Sequence, residues 1–315
     1  MKKISILFIM LAASFFINAE IREITNGSRV WETTDCKKFK PLFSLTLERP
    51  DLGTTLVKEL ATESIDTYNK FYLLYAATGD YGFDYHFYIC NYLENTNTLL
   101  YTIKAKDQDR DIKSAYYSGE YVYCLEIPKD ENAKYYITKR TIQSIEIIDE
   151  YKIDMFCLAK QAYHIWSMYV DEKNDRLLFI ISNNVNNLQQ QFLKIFSLTT
   201  GKEEFSSATD FRSINLDEGK VYLSKQNKLY TLNIVNGVSF SPVEIESFVP
   251  KKEKIVHIWK NNDIYVLTTE YEKFNFIMNF LFGTNSHIYT NYACKFQNGK
   301  LVKIQKLKMP KKEIR

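Results

Sequence analysis

Five stretches of this 315-residue chain repeat one pattern: a short strand-like run, a tight polar turn, then a strongly apolar run. They read SIDTYNKFYLLYAA (64–77), SAYYSGEYVYCLEI (114–127), SMYVDEKNDRLLFIIS (167–182), SINLDEGKVYLSK (213–225) and VHIWKNNDIYVLTT (256–269). Polar turn residues between two apolar runs signal a β-hairpin. The apolar runs begin at Phe71, Tyr121, Leu177, Val221 and Ile264, giving steps of 50, 56, 44 and 43 residues. A period of about 40–50 residues is that of a four-stranded propeller blade.

Behind each hairpin lie further strand-like runs, such as 86–92 with 99–103, 134–139 with 144–148, and 288–296 with 301–307. Single runs at 192–198 and 228–234 serve the third and fourth repeats. Residues 20–62 suffice for one more unit, with 39–47 as its clearest strand. The 23 Tyr and 21 Phe sit mostly in short runs with Ile, Val and Leu, residues that fit a pleated, half-buried surface. No long stretch has apolar residues at helical spacing. The chain therefore reads as all-β: a single β-propeller of five to seven four-stranded blades, with six favoured. A large β-sandwich or barrel is the alternative, because it also yields many short strands. No Trp-Asp dipeptide, kelch-type glycine pair or recurring Ser-x-Asp-x-Gly box ties the repeats to a propeller family.

The N-terminus predicts export. Lys2 and Lys3 precede an uncharged apolar run from Ile4 to Ile17, and Ala19 offers a small residue just before Glu20. This is the layout of a secretory signal peptide. The run is shorter than the roughly 20 apolar residues of a spanning anchor. Residues 1–19 are read as the signal and 20–315 as the propeller domain, which is secreted, or periplasmic or on the surface in a bacterium. Subtracting the two signal lysines lowers the formal charge from +3 to +1. Such a balance disfavours a nucleic-acid partner, which calls for a dominant basic field.

Function in a propeller is expected in the links from second to third strands, which share one face. Those links are read at 78–84, 128–133, 183–191, 226–227 and 271–287. The last contains KFNFIMNFLFG (273–283), the most apolar non-strand segment of the mature chain. Exposed apolar patches tend to mark interaction sites. The candidate binding residues are thus Tyr81 and Phe83 in the first link and Phe274, Phe276, Met278, Phe280 and Phe282 in the last. A loop packed back on its own domain is the competing reading. Contact with a membrane surface through 272–286 is a further expectation.

Catalytic and cofactor signals are weak. Asp107, Asp109 and Asp111 alternate as in the start of an EF-hand, but Ile112 replaces the required glycine. A solvated link between repeats is the better reading. The histidines His86, His164, His257 and His287 lack metal-ligand spacing, and His86 and His257 read as structural residues within strands. No nucleophile elbow or phosphate loop is present, so no cofactor and no catalytic residue is assigned.

Five cysteines remain after the signal: Cys36, Cys90, Cys124, Cys157 and Cys294. In an exported protein some should be oxidised. The favoured pairing is Cys36 with Cys294, which would fasten the ends of a closed ring. Cys90 with Cys124 is a second candidate across consecutive repeats, and buried thiols are the alternative. Asn26-Gly27-Ser28 is a glycosylation acceptor triplet. The lysines of 300–308 alternate as on an edge strand, where they discourage aggregation.

The sequence thus leads to an exported, non-catalytic binding protein whose partner is a protein or glycan. A propeller hydrolase acting on carbohydrate or lactone and a self-assembling surface component are the alternatives.

Overall fold

The computed structural model describes residues 22–25, 29–35, 37–45, 52, 57–64, 69–77, 82–91, 94, 96–107, 109–129, 134–144, 146–156, 164–185, 188–208, 214–217, 220–235, 240, 242–245, 249–261, 264–275, 279, 286–297, 300–309 and 313–314. Within them the chain is a β-propeller built from four-stranded sheets. Five sheets are consecutive antiparallel meanders. Blade 2 comprises β4 (Val57–Ser64), β5 (Asn69–Ala77), β6 (Phe83–Asn91) and β7 (Thr96–Ile103). Blade 3 comprises β8 (Arg110–Tyr117), β9 (Tyr121–Pro128), β10 (Lys134–Thr141) and β11 (Ile147–Phe156). Blade 4 holds β12 (His164–Asp171), β13 (Arg176–Val185), β14 (Leu188–Ser197) and β15 (Glu203–Ala208). Blade 5 holds β16 (Ile214–Asp217), β17 (Lys220–Lys225), β18 (Lys228–Asn233) and β19 (Val243–Ile245). Blade 6 holds β20 (Lys254–Asn261), β21 (Ile264–Lys273), β22 (Ser286–Gln297) and β23 (Lys300–Leu307).

The sixth sheet, blade 1, is composite. β1 (Arg22–Thr25), β2 (Arg29–Thr33) and β3 (Lys40–Leu45) are joined by β24 (Glu313–Ile314), which runs parallel to β3. The two ends of the chain therefore meet in one sheet. Trp31, fully buried, donates its Nε1 proton to the Lys308 carbonyl at 2.6 Å. Hydrogen bonds, rather than a disulfide, hold this closure together among the described residues.

The apolar run of each repeat is the second strand of its blade. In blades 3 to 6 these strands read as unbroken hydrophobic stretches because both their faces are covered by neighbouring blades. On β13, Leu177, Phe179 and Ile181 pack with Tyr123, Leu125 and Ile137 of blade 3. The intervening Leu178 and Ile180 pack with Val221 and Leu223 of blade 5. Alternate residues of one strand thus serve opposite interfaces. Each such side chain contributes roughly 1.5–3 kcal/mol when fully buried. The same layering joins blade 2 to blade 3, blade 5 to blade 6, and blade 6 to Trp31 and Phe39 beside blade 1.

A second repetition lies in the register. Pairing of the first and second strands skips one residue between Glu59 and Ala61, Ile112 and Ser114, Ile165 and Ser167, and Ile255 and His257. Four first strands therefore carry a bulge at the same place. Each extra residue bends and twists its strand.

Strand parity corrects both disulfide expectations. Cys90, Cys124 and Cys294 are free and buried. Cys90 packs with Tyr72, Leu74 and Tyr88, on the face of blade 2 that turns away from blade 3. Cys124 lies on the opposite side of that sheet, in the layer with Phe71 and Leu73. Cys294 faces blade 5 with Tyr222 and Leu229, while its neighbour Ala293 turns toward Trp31 and Phe39. Cys36, Cys157, residues 1–19 and Asn26 lie outside the described residues.

Candidate interaction face

The links expected to form one face are the turns β5–β6, β9–β10, β13–β14, β17–β18 and β21–β22. Two of these hairpins outrun their own blades. β21 and β22 pair as far as Lys273 and Ser286, but β20 ends opposite Glu270 and β23 opposite Asn291. Residues 271–273 and 286–290 form a two-stranded arm that runs beyond the pairing of β20 and β23. β13 and β14 likewise pair to Val185 and Leu188, beyond the described pairing of β12 at Ser182 and of β15 at Phe192. Residues 183–191, expected as a loop, are therefore mostly strand. Three residues of extension correspond to about 10 Å of reach.

Blade 5, which lies between these two arms, is low. Its hairpin closes at Lys225 and Lys228 through Gln226, whose φ of 53° is left-handed. That turn is pinned from the side. The Ile255 amide donates to the Gln226 carbonyl at 2.6 Å, and Asn227 Nδ2 donates to the Val249 carbonyl at 3.1 Å. Ser224 Oγ donates to the Ile255 carbonyl at 3.1 Å. The arms of blades 4 and 6 thus flank a saddle with a fixed floor.

The arm of blade 6 carries apolar side chains into solvent. Phe274 at its tip is 65% exposed, Tyr289 48% and Ile288 43%. Polar contacts stiffen it: His287 Nδ1 lies 2.5 Å from Glu270 Oε1, and Lys252 Nζ stands 4.7 Å from the centre of the Tyr271 ring. At the tip, the Asn279 amide donates to the Asn275 carbonyl at 2.8 Å. Of the seven candidate binding residues, Phe83 and Phe274 are described, and both are exposed. Phe83 is 38% exposed and meets Tyr75 edge-on, with ring centres 4.8 Å apart. Tyr81, Phe276, Met278, Phe280 and Phe282 lie outside the described residues.

His86, His257 and the acidic residues singled out in the sequence lie elsewhere on the blades. His86 is half-buried, with Nδ1 3.0 Å from Thr102 Oγ1, and burial lowers its pKa. His257, read as a structural strand histidine, is exposed beside Trp259. Asp107 and Asp109 are exposed in the link between blades 2 and 3, whereas Asp111 belongs to β8. Among the described residues no group of three or more His, Cys, Asp or Glu could hold a metal ion. No helix among them is long and apolar enough to cross a membrane. β23 is the outer strand of blade 6, as its alternating lysines suggest.

Two features escaped the sequence reading. Ile288 and Tyr289 look like ordinary buried strand residues, and only the early stop of β23 exposes them. Glu126 and Arg140 form a buried ion pair, signalled by a lone carboxylate within the apolar run YVYCLEIP.

No protein family matches the chain, and no curated protein does. Among solved structures it is similar to one described as YjhT, over 81% of this chain and 85% of that one, at 12% identity and a TM-score of 0.43. It is similar to prolyl oligopeptidase B from Galerina marginata over 90% of this chain but 41% of that one, at 12% identity and a TM-score of 0.43. It is also similar to the β-propeller domain of Cps50 (Swd1) from Myceliophteria thermophila, over 82% of this chain and 91% of that one, at 12% identity and a TM-score of 0.40.

Proposed function

We propose that this is an exported binding protein, without a catalytic role, that holds a protein or glycan partner on its hairpin face. The observation that carries the reading is the blade 6 arm, where Phe274, Ile288 and Tyr289 stand exposed on a ribbon that outruns both neighbouring strands. Aromatic anchors dominate binding energy where they become buried against a partner. The pinned turn of blade 5 supports the same reading, because a fixed floor lowers the ordering cost of association.

Export is part of the proposal and rests on residues 1–19. Sequencing the N-terminus of protein recovered outside the producing cell should give Glu20. Recovery of an intact Met1 start would remove the export claim.

Affinity capture from the native extracytoplasmic fluid tests the binding role, comparing the mature protein with a variant in which 274–285 is replaced by Asn-Gly. Phe274→Ser and Tyr289→Ser, which leave the arm backbone in place, serve as the second comparison. A partner retained by the parent and lost by both variants is expected, with unchanged thermal unfolding. A shift of the protein's own mass to dimer or higher would point to self-assembly. Turnover of a glycan or lactone, abolished by one carboxylate substitution, would overturn the binding reading in favour of a hydrolase.

A further inference from the structure

Strand parity sorts the arm of blade 6 into two unlike faces. On β21, Tyr265 and Leu267 pack with Tyr222 and Leu229 of blade 5, whereas Ile264 and Val266 pack with Trp31 and Phe39 beside blade 1. β21 and β22 pair without a slip from Tyr265 to Lys273, and side chains alternate along a strand. Tyr271 and Lys273 therefore continue the blade 5 side into the arm. Residues directly opposite each other share a face, which places Ile288, the partner of Tyr271, on that side too. Glu270, Glu272, His287 and Tyr289 fall on the other side. The contacts agree with this division. Glu270 Oε1 lies 2.5 Å from His287 Nδ1 and accepts from the Tyr289 hydroxyl at 3.4 Å. Lys252, arriving from blade 5, covers the Tyr271 ring at 4.7 Å.

The side of the arm that faces the saddle is thus basic and apolar, and the arm's carboxylates turn away from it. Lys251, Lys252 and Lys273 are exposed and make no ion pair among the described residues. The link that carries Lys251 and Lys252 is fastened to the saddle floor, because the Val249 carbonyl accepts from Asn227 Nδ2 at 3.1 Å. Two carboxylates close by are already engaged. Glu253 is buried and accepts from Thr269 Oγ1 at 2.6 Å and from the Tyr292 hydroxyl at 3.1 Å. Glu244 is held by Lys228 at 2.8 Å. The opposite wall, residues 183–191 of blade 4, reads NNVNNLQQQ and contains no charge. Lysines without counter-charge leave a positive field in this concave space, and Ile288, 43% exposed, stands in it.

An acidic protein segment, an anionic glycan and an anionic lipid surface all carry the complementary charge. The form of the saddle favours the first. Its floor lies about 10 Å below the tips of the arms, the span of three extended residues, so a flat bilayer meets the tips before the floor lysines. A sugar ring stacks on an open aromatic face, and the described ring on this side, Tyr271, is capped by Lys252. Ile288 offers instead an aliphatic contact suited to an apolar side chain.

We infer that the saddle between the two arms binds an acidic segment of a partner protein, its carboxylates meeting Lys251, Lys252 and Lys273 and an apolar residue packing on Ile288. This rests on the hairpin-face reading above and narrows the partner to an acidic protein.

Fluorescence anisotropy on the mature protein tests it with a labelled peptide of glutamates carrying leucine at every third position. The same peptide with glutamine for glutamate, an oligogalacturonate of equal charge and phosphatidylglycerol vesicles serve as comparisons. At low salt the acidic peptide should bind at least tenfold more tightly than its glutamine counterpart, and added salt should weaken it. The triple variant Lys251→Gln, Lys252→Gln, Lys273→Gln should lose at least tenfold in affinity with an unchanged unfolding midpoint, and Ile288→Ser at least threefold. Lys202→Gln with Lys220→Gln, two exposed lysines in links on the opposite face, should change nothing. The inference is overturned if the acidic peptide fails to bind at millimolar concentration, if the oligogalacturonate or the vesicles bind more tightly than it does, or if the triple variant keeps full affinity. An equal loss in the Lys202 and Lys220 variant would also overturn it, by showing a diffuse charge effect. A native partner lost by Phe274→Ser but fully kept by the triple lysine variant would leave the hairpin-face reading standing and remove the acidic segment.

Discussion

Glu126 on β9 and Arg140 on β10 meet at 2.7 Å with their side chains only 5% and 9% exposed. They lie with Thr138 on the face of blade 3 that turns toward blade 2, beside the apolar layer of Val122 and Cys124. Glu126 pairs with Ile112 just before the bulge of β8, and the corresponding residue of blade 6, opposite Ile255, is Thr269. There Thr269 Oγ1 donates to Glu253 Oε2 at 2.6 Å, and the Tyr292 hydroxyl adds a bond to the same oxygen at 3.1 Å. Two blades thus bury a carboxylate at or beside this position, and among the described residues only that of blade 3 is paired with a cation.

That difference makes the pair asymmetric to mutation. Arg140→Met should destabilise the fold by about 3–5 kcal/mol, because it leaves Glu126 buried without its closest cation. Replacing both partners, as Glu126→Gln with Arg140→Met, should cost clearly less than Arg140→Met alone. Urea unfolding of the two variants gives the comparison. Equal losses would mean that the pair, rather than the orphaned charge, carries the energy.

Gly201 brings the backbones of blades 3 and 4 into direct contact. Its φ is +67°, and a Cβ there would sit 1.8 Å from the Lys152 carbonyl oxygen. The Gly201 carbonyl also accepts from the Asp154 amide at 2.7 Å. Gly201→Ala combines left-handed strain with a backbone clash and should cost about 3 kcal/mol or more. Gly119 has a φ of +97° but open space around its Cβ direction. Gly119→Ala should therefore cost about 1–2 kcal/mol, from conformation alone. Thermal unfolding of both variants checks the ranking.

The repeat was legible because buried second strands, covered on both faces in blades 3 to 6, cannot avoid reading as continuous apolar runs. Outer strands announce themselves less clearly. Glu203–Ala208 alternates between exposed and half-buried residues, so β15 looks like a loop. The strand sought at 144–148 runs instead from Ile147 to Phe156, since one edge of it faces water and tolerates DEYK. Cysteine parity was unreadable for a different reason: a residue's face depends on register and bulges that only pairing reveals. The arms show the same limit. Phe274 stood out as an apolar residue within a link, whereas Ile288 is exposed because β23 ends early, an event elsewhere in the chain.

The buried thiols should be inert in the native state. Burial pushes Cys90 up to about 11 and Cys124 up to about 12, and it raises Cys294 as well. Thiolate is the reactive form, so a thiol reagent at pH 8 should label these three residues only after unfolding. Since folding favours the protonated thiol, the stabilisation from Cys90 is complete below 9.0 and is lost as pH rises from 9.0 through about 11. Mass mapping of labelled cysteines, with and without urea, provides the check. Rapid native labelling of Cys90 would contradict the packing around Tyr72 and Leu74.

Asp175 fastens two turns of blade 4 from a left-handed backbone position, with φ at 55°. Its Oδ1 accepts from the Thr199 amide and hydroxyl, each at 2.7 Å, and its Oδ2 accepts from Ser197 Oγ at 2.7 Å. Burial works to raise the carboxyl pKa, but the hydrogen bonds from Ser197 and Thr199 outweigh it and hold the group below 3.8. A carboxyl depressed by folding contributes stability above its unfolded value, and this is lost as pH falls through the folded value. Asp175→Ala should cost about 2–3 kcal/mol at pH 7, since it removes charge-assisted bonds and places alanine at positive φ. Asp175→Asn tolerates the same backbone and retains one acceptor oxygen, so it should lose less. The gap between parent and Asp175→Asn should be constant from pH 7 to pH 5 and shrink below pH 3.8. Urea midpoints measured across that range test the assignment, and a gap that widens toward acid would show that the carboxylate is not what holds the turns together.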